Sequence, residues 1–170
     1  MYRWGFALIC LGLVSASHAH GPMEIDEDLL KFVNGASLES GRSIYLTGKT
    51  ESGVGVLRKG GPHWLYVHGG SCKSCHGEDG RGGEIPHMCL MVSPAVTWKS
   101  LTGDKHKQGG GDEGHKHDPY TLESLRMILE TGFRPGGKRL DECMPKWRFT
   151  DDEYRDLVAH LIEMDMTLQK

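Results

Sequence analysis

Cys72-Lys73-Ser74-Cys75-His76 is the stretch of this chain whose residue types and spacing speak most directly of chemistry. Two thiols three positions apart can share one face of a helical turn. There they can form thioethers with the two vinyl groups of one porphyrin, and the adjacent imidazole can reach its iron. C-x-x-C has two competing uses. A zinc site needs a second pair of ligands. No second C-x-x-C exists, and His63 and His68 precede the cysteines, against the usual finger order. A thioredoxin-like pair needs a βαβ setting, whereas the flanks here are rich in glycine. Covalent haem attachment through Cys72 and Cys75, with His76 as an iron ligand, is the reading that survives.

Iron held by His76 on one side takes a donor or an open position on the other. Met144 leads, because Cys143-Met144-Pro145-Lys146-Trp147 places a thioether on a proline-stiffened loop. A soft neutral sulfur favours ferrous iron and raises the potential. The other donors are Met88, Met91, Cys143, His63, His68, His160 and His20. Met88 and Met91 read more simply as pocket walls, since methionine fills irregular gaps.

The elements that must hold these groups leave local signals. Ser37 to Leu46 has helical spacing. Thr121 precedes a helical pattern that ends at Gly132, and Thr150-Asp151-Asp152-Glu153 is a capping box before the stripe Tyr154, Leu157, Val158, Leu161 and Ile162. Between Thr47 and Ser71 the helical period vanishes. Val54 to Leu57 and Trp64 to Val67 flank the turn Arg58 to Pro62, which predicts a small β-hairpin. Gly77 to Pro94 reads as irregular chain and His20 to Asn34 as a loosely packed lead-in.

In their order along the chain, these motifs resemble those of class I cytochromes c. The residues that carry the resemblance are Cys72 to His76, the Gly77-Glu78-Asp79-Gly80-Arg81-Gly82-Gly83 run, Met144-Pro145-x-Trp147, and the capped helix with Leu157-Val158-Ala159-His160-Leu161. The match runs from about Gly41 to Met164. It implies an all-α cytochrome c fold, here with a small inserted β-hairpin or loop before the haem motif. It also implies one covalent haem c, with His76 and Met144 on the iron. A first helix should cross the last, with Gly41 and Tyr45 against Leu157 and His160, where the family usually has an aromatic at His160. Pro86 is placed to match the proline whose carbonyl orients the ligating imidazole.

The chain begins with Arg3, an apolar run from Trp4 to Val14, and Ser17-His18-Ala19. This is the pattern of a secretory signal cleaved after Ala19, and the run is short for an uncleaved membrane anchor. The domain reading is therefore a signal peptide over 1–19, a lead-in over 20–36 and a cytochrome c domain over 37–168. That domain contains the 47–71 insertion and a His- and Gly-rich loop over 104–118. The formal net charge is −3, which argues against a nucleic-acid binder. Cys89 and Cys143 remain as an even pair, for which an oxidising compartment allows either a disulfide or two free thiols. His106, His115 and His117 carry imidazoles suited to copper or zinc, but read first as incidental residues of a solvated loop.

Electron transfer with redox partner proteins is the functional expectation, in the periplasm or another exported location. A non-enzymatic role fits, because no nucleophile–base set or carboxylate pair stands out. The alternatives are a haem-based gas sensor and an electron-entry subunit of a larger oxidase or reductase.

Overall fold

In the computed structural model of the protein, residues 25–103 and 119–168 are described. The proposed signal segment, His20 and the loop with His106, His115 and His117 lie outside them.

Each long helix starts where a hydroxyl or carboxylate can satisfy the free amides of the first turn. α1 (Glu27–Val33) is capped by Asp26, and α2 (Leu38–Thr47) by Ser37. α6 (Leu122–Thr131) begins at Thr121 and ends at Gly132, which sits in the left-handed region at φ 75°. α7 (Asp151–Thr167) opens on the capping box, in which Thr150 Oγ1 accepts from Glu153 N and Glu153 Oε2 accepts from Thr150 N. Shorter helices lie between these: α3 (Trp64–His68), α4 (Lys73–His76) and α5 (Trp98–Thr102).

The frame is a crossing of α2 over α7. Gly41 makes the crossing possible, because a Cβ there would run into the Asp156 carbonyl and approach His160 Cβ at 3.1 Å. One turn later the Tyr45 and His160 rings meet, with centroids 5.5 Å apart. Leu157 is buried in the same core. The crossing expected from the sequence is therefore present. Ile44, Tyr45, Val158 and Leu161 fill the interface, with Trp147, Phe149 and Tyr154 beside them. Tyr154 donates its hydroxyl to Leu122 O at 2.5 Å, which ties α6 to α7.

Two sequence expectations are corrected. The lead-in is not loose: α1 packs on α7 and buries Leu29. The inserted β-hairpin does not form. Trp64 to Val67 is helical, with Leu65 buried and Arg58 donating to the Leu65 and Gly70 carbonyls at 2.6 and 2.7 Å. The strand that does form, β1 (Leu57–Lys59), pairs antiparallel with β2 (Lys146–Arg148), far along the chain. α5, in a stretch whose sequence predicts no element, is held by Thr97 as its cap and by Asp165 of α7, which accepts from Lys99 N.

Candidate functional site

α4 is one turn of helix, and it brings Cys72, Cys75 and His76 together as their spacing predicts. The Cys72 carbonyl accepts from the amides of both Cys75 and His76, at 3.2 and 2.9 Å. Both thiols are free, and both are half-buried. Burial pushes the Cys72 thiol up to about 12, and it raises Cys75 as well. Both sulfurs therefore sit as neutral thiols, and Cys72 packs against the hydrophobic core, a setting suited to a thioether on an apolar macrocycle.

His76 is buried, and burial holds its imidazole below the ordinary value of 6.5. Its Nδ1 lies 2.8 Å from the carbonyl of Pro94. With Nδ1 donating to that carbonyl, Nε2 keeps its lone pair and is left free to bind a metal. Pro94, and not Pro86, is thus the proline that orients the imidazole. Gly82 lets the chain close on this bond. At φ 61° it packs so tightly on the Ser93 and Pro94 carbonyls that any Cβ would strike them, and its amide donates to His76 O at 2.8 Å.

Tyr45 reaches the same place from the helical frame. Its side chain is fully buried, and its hydroxyl donates to Gly77 O at 2.7 Å. Burial drives its phenol upward, so it stays protonated and keeps donating.

Met144 lies in the turn before β2, half-buried and packed on the core. It borders a cavity of about 250 Å³ with Lys59, Gly61, Gly132, Leu140 and Lys146. His76 is not among the residues lining that cavity. The competing donors fall elsewhere. His63 and His68 stand at the two ends of α3. Met88 is 66% exposed and Met91 43%. His160 Nδ1 is paired with Glu163 Oε2 at 3.1 Å and its ring packs on Tyr45, so it serves the helix crossing. Cys143 is bonded to Cys89 in a disulfide, which removes it as a thiolate ligand and closes the question of the two leftover cysteines.

The donor set fits a haem. Besides the two thiols and the fixed imidazole tautomer, Arg134 carries a buried Nε with no hydrogen-bond partner among the described residues. An orphaned guanidinium nitrogen of this kind is suited to a carboxylate such as a haem propionate. Trp98 and Trp147 are both buried, and Trp147 stacks on Phe149. Both belong to the core, whereas Arg148 is exposed. No group of three or more His, Cys, Asp or Glu side chains among the described residues is arranged to hold a separate metal ion.

The residue that sequence reasoning missed is Pro94. Its signal was a second proline, 18 residues beyond His76, at the far end of the loop that carries Cys89.

The Cytochrome c family model matches residues 65–165. No curated protein and no solved structure gives a significant match.

Proposed function

This chain belongs to the cytochrome c family, and from that premise we propose that it is an exported monohaem electron carrier with iron held between His76 and Met144. Family membership implies covalently bound haem c, redox partners and haem-based electron transfer. The family generally carries electrons rather than acting as enzymes. The haem, when bound, supplies an iron that cycles between ferric and ferrous states within an apolar pocket.

The observation that carries the finer reading is the 2.8 Å contact between His76 Nδ1 and Pro94 O. It fixes the ring and leaves the lone pair of Nε2 free for a metal, on the same helical turn as the two thiols. In this reading Cys72 and Cys75 anchor the macrocycle. His76 and Met144 would hold the iron, and Arg134 would bind a propionate. Met144 is supported by its donor chemistry, its place before buried Pro145 and Trp147, and its packing on the core. With both positions filled, no open coordination site competes with electron exchange.

The domain occupies 37–168 in this reading, with 1–19 as the export signal. Domains of this family are typically exported, and no helix among the described residues is long and apolar enough to cross a membrane.

The test is Met144→Ala in the ferric holoprotein. The weak sulfur-to-iron charge-transfer band should vanish, and the ferrous protein should gain carbon monoxide binding. A band that persists rules out Met144. Native protein that binds carbon monoxide readily rules out a closed carrier and favours gas sensing.

A further inference from the structure

The Cys89–Cys143 disulfide joins residues 54 apart in sequence; one end adjoins a proposed iron ligand, and the other lies in the loop whose proline orients the second. Cys143 directly precedes Met144. Cys89 lies in the loop that ends at Pro94, whose carbonyl holds His76. The bridge thus connects the two sides of the ligand set by a covalent path that bypasses the helical frame.

Met144 itself packs on the core, but hydrogen bonds that reach the two loops from outside are few. Around Met144, Cys143 N donates to Asp141 Oδ1 at 2.9 Å and Met144 N to Asp141 O at 3.1 Å, both within the turn. On the other side, Ser93 N donates to Glu84 O at 2.8 Å and Cys89 N to Pro86 O at 3.0 Å, again within the loop. Trp64 Nε1 adds one bond from outside, to His87 O at 2.8 Å. Ile85, Met88, Leu90 and Val92 are each more than half exposed, so the loop takes little anchorage from burial. Met88, next to Cys89, holds φ 65°, a conformation that non-glycine residues keep only where their surroundings enforce it.

We propose that Cys89 and Cys143 are positioning residues for the sixth iron ligand, and that cleaving their disulfide with a dithiol opens that position to a small neutral ligand. The inference rests on the reading of Met144 as the distal donor. The attack falls on Cys143, which is half-buried, whereas Cys89 is 8% exposed. A thiolate of the dithiol bonds to Cys143 Sγ and expels Cys89 as a thiolate, which takes up a proton. The second thiol of the reductant then closes its own disulfide and releases Cys143 as a thiol. Two electrons pass from the dithiol to the protein disulfide.

Ferric holoprotein is compared in three forms. The first is intact. The second is reduced with dithiothreitol, alkylated with iodoacetamide and reoxidised with ferricyanide. The third carries Cys89→Ser with Cys143→Ser. Expected is a charge-transfer band in the intact protein that weakens on cleavage, with imidazole binding at least about tenfold tighter as the open population grows. The helical circular dichroism should stay unchanged. An unchanged band and imidazole affinity overturn the proposal. So does loss of helical signal together with the band, which makes the bridge a general staple. Absence of the band in intact protein refutes the Met144 reading itself, before any cleavage. If the double variant does not fold, the chemically reduced wild type supplies the same comparison.

Discussion

Tyr45 donates its hydroxyl to the carbonyl of Gly77 at 2.7 Å, and so ties α2 to the residue that follows His76. The same ring rests against His160 of α7. One side chain therefore joins the helix crossing to the C-x-x-C-H turn, and the position of that turn depends on the crossing. Tyr45→Phe keeps the ring and removes the donor. It should cost about 1–2 kcal/mol, because the carbonyl loses its partner in a buried setting. Denaturant unfolding measures the loss, and wild-type stability in the variant would deny the tie.

Gly41→Ala should be the more damaging change, although it adds one methyl group. The new Cβ would enter the space of the Asp156 backbone carbonyl, which cannot rotate away as a side chain can. α2 and α7 would have to separate, at a cost near the upper end of overpacking, about 3 kcal/mol. Thermal unfolding of the holoprotein reads this directly. An effect smaller than that of Tyr45→Phe would show that the helices have slack.

Burial holds the His160 imidazole below its ordinary 6.5, with Glu163 opposing the shift and Arg42 adding to it. Arg42 from α2, Glu163 from α7, and Glu78 and Asp79 from the chain after α4 are the charged groups around it. As pH falls through 6.5, the unfolded chain takes up a proton before the folded one does. The stability linked to this group is thus fully present above 6.5, and it drains away as pH falls toward the lower folded value. His160→Phe should flatten that slope. Melting temperatures on both sides of pH 6.5 provide the check, and equal slopes in variant and wild type would assign the pH dependence elsewhere.

Arg58 predicts a role for the insertion. Its guanidinium bonds the Leu65 and Gly70 carbonyls and lies 5.9 Å from the centre of the Trp147 ring. A lysine offers one ammonium where the guanidinium makes two aligned bonds and stacks. Arg58→Lys should therefore destabilise by about 1–3 kcal/mol, despite keeping the charge. Denaturant titration tests it, and a neutral result would make the insertion decorative.

The parts legible in the sequence are those whose causes are local. Ser37, Thr121 and Thr150 cap their helices with their own hydroxyls, and Gly132 ends α6 in a conformation glycine adopts cheaply. C-x-x-C-H needs only one turn of helix. The failures have distant causes. Trp64-Leu65-Tyr66-Val67 has the composition of a strand, but burial of Leu65 and the Arg58 bond to its carbonyl favour a helix. β1 could not be paired from its neighbours, because its partner lies beyond the haem motif. The α5 amide at Lys99 is met by Asp165, 66 residues away. Pro94 and Pro86 differ only in where the loop between them folds. α1 is the exception: Asp26 and the acidic first turn were in plain view, and the polar surroundings hid them.

The pairing of Leu57 with Arg148 joins positions 91 residues apart, and Met144 lies just before the second of those strands. Contacts of such long range form slowly, because the loop entropy is spent before the contact is gained. The chain contains ten histidines, several of them nearer to the haem motif than Met144 is. With Met144 as the proposed sixth ligand, a newly haem-loaded chain would meet imidazoles first, and the thioether would arrive with the strand pair. Under the proposed ligation, maturation would be a race between ligands, decided by the order of folding.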